Sequence, residues 1–189
     1  RSRAVEQGGP TATLDRVKKV VVLGSTGSIG EQALEVIQAA GDELQLVGIS
    51  AHSRWERACE QADAHGVERL AITDPGAAER CAAQRPAGSV LAGEAGITEL
   101  IASSGTDLVL NAVTGAAGLG PTIVALSQGI DVALANKESL VIGGELVTAL
   151  AEASGASIIP VDSEHSALFQ LIRSERPGTV EKLVLTASG

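Results

Sequence analysis

The chain has 189 residues, 44% of them hydrophobic and 20% charged, with a formal net charge of −9 and a pI near 4.8. This size suits one α/β domain, or one domain and the start of a second, with enough apolar content for a real core. The acidic balance argues against nucleic acid or an anionic membrane as partner, because both need a basic surface, so any phosphate ligand has to be gripped locally.

Ala, Val, Ile and Leu supply nearly all of the apolar content, since Trp55 and Phe169 are the only aromatic residues. Cys59 and Cys81 have neither a CxxC spacing nor a nearby His, which points to reduced thiols and not to zinc or a disulfide framework. No apolar run approaches the roughly 18–20 residues of a membrane span, and residues 1–17 lack the apolar stretch of a signal peptide, so a cytoplasmic protein is expected. The chain contains no Met, opens at Arg1 and closes just after an apolar run, features read here as those of a fragment.

Residues 1–17 are polar and turn-rich and are read as a flexible arm. From Lys19 onward short apolar runs alternate with longer helical patterns, the mark of βα units around a parallel sheet. Strands are predicted at Lys19–Leu23, Gln45–Ser50, Arg69–Ile72, Ser89–Leu91, Leu108–Ala112, Asp131–Leu134, Ser157–Val161 and Lys182–Thr186. Helices are predicted at Ser28–Ala39, Ser53–His65, Gly76–Gln84, Ile97–Ser103, Gly118–Gln128, Leu140–Ser154 and Glu164–Arg173, most with aliphatic residues three and four apart. The fold class is therefore a Rossmann-like open parallel sheet with helices on both faces. A boundary near Ala151–Ser157 would separate a dinucleotide-binding domain over residues 18–154 from the beginning of a truncated α+β domain over residues 155–189.

The first strand runs directly into Gly24-Ser25-Thr26-Gly27-Ser28-Ile29-Gly30 and then a helix. Glycines at this spacing allow a tight turn, close backbone approach to a pyrophosphate and close helix-on-strand packing, while the helix amino terminus presents free N–H groups. A purely structural turn is the competing reading. A nucleotide-triphosphate loop is not, because Ile29-Gly30-Glu31 stands where Gly-Lys-Ser/Thr would be required. After the second strand no acidic residue is placed to bind ribose hydroxyls; Ser53 and Arg54 instead offer a hydroxyl and a guanidinium suited to a 2′-phosphate, which favours NADP unless Arg54 is merely a solvated helix-start residue.

Asn136-Lys137-Glu138-Ser139 follows the sixth strand at the end of the sheet where ligands bind, and Lys137 could hold an anion. The seventh strand runs into Asp162-Ser163-Glu164-His165. Two carboxylates around a bend suit a hard cation such as Mg²⁺ or Mn²⁺, while a helix N-cap explains the same residues without a metal. His165 reads as a packing or capping residue.

These segments, Gly24–Gly30, Ala135–Leu140 and Pro160–His165, together resemble the 1-deoxy-D-xylulose 5-phosphate reductoisomerase family, and Asn111–Leu119 and Leu185–Gly189 are similar to it as well. The resemblance runs from about Lys19 to the end of the chain. It implies that Thr26, Gly27, Ser28 and Ile29 contact the NADPH pyrophosphate region and that Asn136 and Glu138 also touch the cofactor. It further implies that Lys137 binds substrate, that Asp162 and Glu164 are two of three carboxylate metal ligands, and that Ser163, Glu164 and Ser188 touch the sugar phosphate. The family's adenosine loop usually has a small or basic residue and then Asn, where this chain has His52-Ser53-Arg54. The third carboxylate, the lid and most of the phosphate pocket are expected beyond Gly189. The implied reaction rearranges the substrate's carbon skeleton with the metal on its carbonyl and hydroxyl oxygens, then reduces the resulting aldehyde with hydride from NADPH to give 2-C-methyl-D-erythritol 4-phosphate. The expected partners are a small sugar phosphate and, for the full-length protein, a second copy in a homodimer. Two other readings differ in kind: an NADP-sensing module without chemistry, and a phosphorylating semialdehyde dehydrogenase, which would need a nucleophilic Cys in a loop.

Overall fold

Seven short runs dominated by aliphatic residues provide strands that can be covered on both faces, the condition under which a parallel sheet is stable. The computed structural model describes residues 16–176 and 178–184. In chain order its elements are β1 (Lys18–Leu23), α1 (Ser28–Ala39), β2 (Leu44–Ala51), α2 (Trp55–His65), β3 (Leu70–Ile72), α3 (Pro75–Ala82), β4 (Val90–Ala92) and α4 (Gly93–Ser103). There follow β5 (Leu108–Asn111), α5 (Leu119–Ser127), β6 (Asp131–Leu134), α6 (Lys137–Ser154), β7 (Ile158–Pro160) and α7 (Ser163–Ser174), with 3-10 turns at Gly41–Glu43 and Gly115–Gly118. All pairings are parallel, in the order β4-β3-β2-β1-β5-β6-β7.

The two-residue alternation of β1 divides the core. Val20 and Val22 join Ile49, Leu70 and Ile72 against Leu34 and Ile37 of α1, Trp55 and Ala58 of α2, and Ala77, Ala78 and Cys81 of α3. Val21 and Leu23 point the other way, with Val109 and Val132, onto Leu100 and Ile101 of α4, Ala125 and Leu126 of α5, and Val147 and Ala151 of α6. Val21, Val22 and Leu23 are wholly excluded from water, as suits a strand covered on both faces at the centre of the stack.

The expected sheet forms, α4 starts at Gly93, four residues before the predicted Ile97, and three further features bear on the sequence reading. First, α6 begins at Lys137 and not at Leu140, because Asn136 caps it, so the polar Lys137-Glu138-Ser139 stretch is a first helical turn. Within α6, Gly143 has φ −127° and ψ 23°, which kinks the 18-residue helix. Val141 and Ile142, just before the kink, are largely exposed, while Val147 and Ala151 beyond it are buried. Second, β7 pairs with β6 in the same sheet, so hydrogen bonding continues unbroken across the expected boundary at residue 154. Third, Lys182–Val184 is not a strand; Leu183 and Val184 are exposed and meet no ladder partner among the described residues, and the rest of that predicted strand, Leu185 and Thr186, lies outside them. A strand without a neighbour has no partner for its amides, which is why an apolar run alone does not make one.

Candidate functional site

Because the strands are all parallel, the loops after β1, β2, β5, β6 and β7 share one edge of the sheet. The order of the sheet runs outward from β1 in both directions, so a crevice opens at that edge between β1 and β5, the usual ligand position in open α/β sheets.

The turn after β1 is bound to its surroundings by a fixed set of hydrogen bonds. The N–H groups of Gly24 and Ser25 both donate to the Ser50 carbonyl, at 3.0 and 2.9 Å, and Gly27 N–H donates back to Gly24 O at 3.0 Å. Gly24 takes φ +77°, which a side chain would disfavour. At Gly30 a β-carbon would stand 2.3 Å from Gly24 O and 2.6 Å from Ser25 Cα, so only glycine lets α1 start this close to the turn. The buried Ser25 hydroxyl donates to Gln61 Oε1 at 2.8 Å, and Gln61 Nε2 donates to Ser25 O at 3.0 Å. Gln61 therefore braces the turn from α2. The N-cap of α1 is Gly27, which has no side chain to occupy the first-turn amides. Thr26 is buried, whereas Ser28 and Ile29 face solvent. First-turn amides without a side-chain cap, together with the positive end of the helix dipole, suit an anion.

Beside it, β2 ends and the exposed His52, Ser53 and Arg54 follow. The helix predicted from Ser53 begins at Trp55, because the Trp55 N–H turns back to the Ser53 carbonyl at 2.9 Å and the buried indole anchors the first turn. Ser53 and Arg54 are thereby left in the loop, free to face a ligand.

The loop after β5 is held from both sides by buried amides. Asn111 Nδ2 donates to Gly118 O (2.8 Å) and Thr122 Oγ1 (2.9 Å), while its Oδ1 accepts from Val113 N–H (3.2 Å). Asn136 Nδ2 donates to Gly115 O at 2.8 Å and also to Val113 O, and its Oδ1 accepts from the Ser139 N–H (2.8 Å) and hydroxyl (3.1 Å). The Asn136 side chain is thus fully engaged within the protein, and what it supplies to the crevice is the position of the 113–115 loop and of Lys137. Glu138 is half-buried on the same turn.

At the far end, Asp162 caps α7: Oδ1 accepts from His165 N–H at 3.0 Å and Oδ2 lies 2.7 Å from His165 Nδ1. The capping expected as the alternative for Asp162 is therefore real, and a carboxylate retains further lone pairs while doing it. Partial burial pushes the Asp162 carboxyl up, but the bonds from His165, its charge and that of Lys137 prevail and hold it below the usual carboxylate range. The exposed Glu164 is also held low, chiefly by the Ser163 hydroxyl at 2.8 Å and further by its own amide and Lys137, against the charge of Asp162. One lysine thus acts on both acids, bringing α6 and α7 to a common locality. Three strand spacings separate β1 from β7, about 14 Å, so this group lies along the edge from the glycine turn. Ser188 lies outside the described residues. Among the described residues no three His, Cys, Asp or Glu side chains gather as a metal cluster.

Residues 20–144 match the family model of 1-deoxy-D-xylulose 5-phosphate reductoisomerase, and residues 158–189 match that of its C-terminal domain. The chain belongs to the 1-deoxy-D-xylulose 5-phosphate reductoisomerase family. A relative bearing that name from Leifsonia xyli is 49% identical over 173 residues, which cover 92% of this chain and 42% of the relative. The chain thus spans less than half the length of the curated reductoisomerases it matches. A crystal structure of DOX-P reductoisomerase in complex with magnesium superposes with a TM-score of 0.77 at 32% identity, covering 82% of this chain and 39% of that one. The reductoisomerase from Zymomonas mobilis in complex with NADPH gives 0.75 at 35% identity, covering 82% and 41%.

Two residues hold this reductoisomerase crevice together without a role read from the sequence: Gln61, and Asn111 at the head of a segment similar to the family. Gln61 sits on the otherwise apolar face of α2 that carries Ala58 and Ala62, and that break in the pattern is its only signal. Asn111 closes an apolar strand immediately before the Gly115–Gly118 turn, where a side chain able to bond loop carbonyls is called for.

Proposed function

We propose that this chain is the NADPH-binding part, with the beginning of the metal-binding part over residues 155–189, of a reductoisomerase that converts 1-deoxy-D-xylulose 5-phosphate to 2-C-methyl-D-erythritol 4-phosphate. The observation that carries the proposal is the alignment, along one sheet edge, of an uncovered glycine turn with Lys137, Asp162 and Glu164.

In this reading the amides of Thr26, Gly27, Ser28 and Ile29 bind the cofactor pyrophosphate, and the exposed Ile29 gives the bound dinucleotide an apolar surface. Ser53 and Arg54 take the 2′-phosphate of the adenosine, in a loop without an acid to repel it. Asn136 fixes the 113–115 loop along which the nicotinamide half lies, and Glu138 borders it. Lys137 attracts the anionic substrate to the acids.

The donor set fits Mg²⁺ or Mn²⁺: Asp162 and Glu164 are both held ionised, are accessible and offer hard oxygen ligands. Such an ion, when bound, polarises the substrate's carbonyl and hydroxyl oxygens and stabilises charge that develops on them. His165 keeps the Asp162 carboxylate oriented, Ser163 does so for Glu164, and Ser163, Glu164 and Ser188 touch the sugar phosphate. The protein in this reading works as a cytoplasmic homodimer without nucleic-acid or membrane partners; among the described residues no helix is long and apolar enough to cross a membrane.

In the intact enzyme, Asp162→Asn and Glu164→Gln should each lower Mn²⁺-supported turnover at least ~100-fold while NADPH binding, read by its fluorescence, stays within about twofold. Turnover retained in both variants would reduce Asp162 to a helix cap and overturn the assignment of these two acids as metal ligands.

A further inference from the structure

The half-buried Cys59 follows the buried Ala58 on α2, and the last buried residue of α3 is Cys81. Nothing in their spacing brings them together in the sequence. The packing of α2 against α3 does: the two sulfurs lie 3.3 Å apart as free thiols. A disulfide bond is about 2.05 Å long, so the pair is within little more than an ångström of bonding distance.

Their surroundings are not symmetrical. Cys81 has no exposed surface, whereas Cys59 is half-buried and reachable from solvent. Burial first, then the bond to and charge of Cys59, push the Cys81 thiol up to about 12, so Cys81 keeps its proton. Arg85 completes the group. Its side chain is 11% exposed and its Nη1 donates to Asp63 at 2.8 Å, while its Nε is buried without a hydrogen-bond partner among the described residues. Burial works against the guanidinium's charge, but the Asp63 bond and the proximity of Cys59 raise its pKa nonetheless. A fixed cation beside a partly accessible thiol is the setting in which a cysteine becomes nucleophilic, and a second thiol in contact is what resolves its oxidation product. Glu56, the other charged residue acting on Cys81, opposes ionisation there and reinforces the difference between the two sulfurs.

We propose that Cys59 and Cys81 form a redox-active dithiol that a hydroperoxide converts reversibly to a disulfide joining α2 to α3. The Cys59 thiolate attacks one peroxide oxygen; the O–O bond breaks, the other oxygen leaves as alkoxide or hydroxide and takes up a proton, and Cys59 becomes a sulfenic acid. The Cys81 sulfur then attacks the Cys59 sulfur. The S–S bond forms, the S–O bond breaks, and hydroxide departs with the Cys81 proton as water. Two thiols have lost two electrons and two protons, and the peroxide has become an alcohol, or water, and water. A dithiol reductant reverses the change. Arg85 holds the Cys59 thiolate at the start, and Cys81 prevents over-oxidation by closing the bond.

The test treats the intact protein with a few equivalents of hydrogen peroxide, blocks remaining thiols with a maleimide and maps tryptic peptides without reduction. The expected result is a cross-link between peptide Ala58–Arg69 and the peptide that begins at Cys81, lost on adding dithiothreitol. The Cys81→Ser protein should trap a dimedone-reactive sulfenic acid at Cys59, and the Cys59→Ser protein should show none at Cys81. The oxidised wild type should melt on the order of 5 °C higher, because the bridge closes a loop of some twenty residues in the unfolded chain. Maleimide on both cysteines of the peroxide-treated wild type, or a sulfenic acid persisting at Cys59 with Cys81 unlinked, overturns the proposal. Neither result depends on a variant folding.

Discussion

Replacing Gly30 by Ala is the most direct way to ask whether the β1–α1 turn is built for a cofactor. The new β-carbon would stand 2.3 Å from Gly24 O and 2.6 and 2.7 Å from Ser25 Cα and C, all of them backbone atoms. A carbon–oxygen contact relaxes at about 3.3 Å, so α1 and the turn have to separate by roughly 1 Å. No side chain can swing aside to relieve this, and overpacking of this kind costs about 1–3 kcal/mol. For a domain of this size ~2 kcal/mol lowers the melting temperature by roughly 4–8 °C. The same separation moves the first-turn amides away from the pyrophosphate, and about 1.4 kcal/mol of lost binding is tenfold in affinity. Gly120→Ala is the control, since a β-carbon there meets nothing within 4 Å and the residue is helical; it should melt at or slightly above wild type. Differential scanning calorimetry and NADPH fluorescence titration read both quantities. A Gly30→Ala protein that melts with wild type and binds NADPH with unchanged affinity would refute the reasoning.

Three further outcomes follow from the same geometry. Arg54→Asp should cut the preference for NADPH over NADH by about 10- to 100-fold, the worth of a charge-assisted contact turned to repulsion, with NADH affinity little changed in parallel titrations. Asn136→Leu should lower stability by about 2–3 kcal/mol in urea unfolding, because it removes the α6 cap and leaves the Val113 and Gly115 carbonyls unpaired. Asp162 titrates below its ordinary range in the folded chain, so its contribution is complete above about pH 4 and is lost as pH falls through the folded-state value. Asp162→Asn keeps the cap but cannot titrate, and its melting temperature should fall less steeply than wild type as pH drops below about 4.

The parallel sheet was legible because strands buried on both faces must be written as apolar runs, and Val20–Leu23, Val109–Leu110 and Val132–Leu134 are that. Helix starts were less so. Asn136 is a capping residue, but the Lys-Glu-Ser that follows reads as a polar loop until the bond from Ser139 N–H is seen. Ser53 looks like an N-cap, yet the anchoring of Trp55 decides where α2 begins. The glycine turn could be read locally because its demands are local. The brace by Gln61, the clamp by Asn111 and the meeting of Cys59 with Cys81 depend on which helices lie side by side, and that information is distributed over the whole sheet. Asp162 and Glu164 fall between: their residue types were visible, while their link to Lys137 required α6 and α7 to start at adjacent strand ends.

The break at Gly143 bears on how Lys137 can behave. An unbroken 18-residue rod would be as stiff as its anchor, and any displacement of its amino end would have to drag Val147 and Ala151 through the packed interior. Interrupting the regular helix ahead of Val147 lets the leading segment, held by the Asn136 cap and the buried Ser139 and packed on Leu119 at Gly143, take its own direction while the trailing segment stays seated. The position of Lys137 is therefore set locally, by the cap that precedes it, and not by how the rest of the helix seats on the sheet.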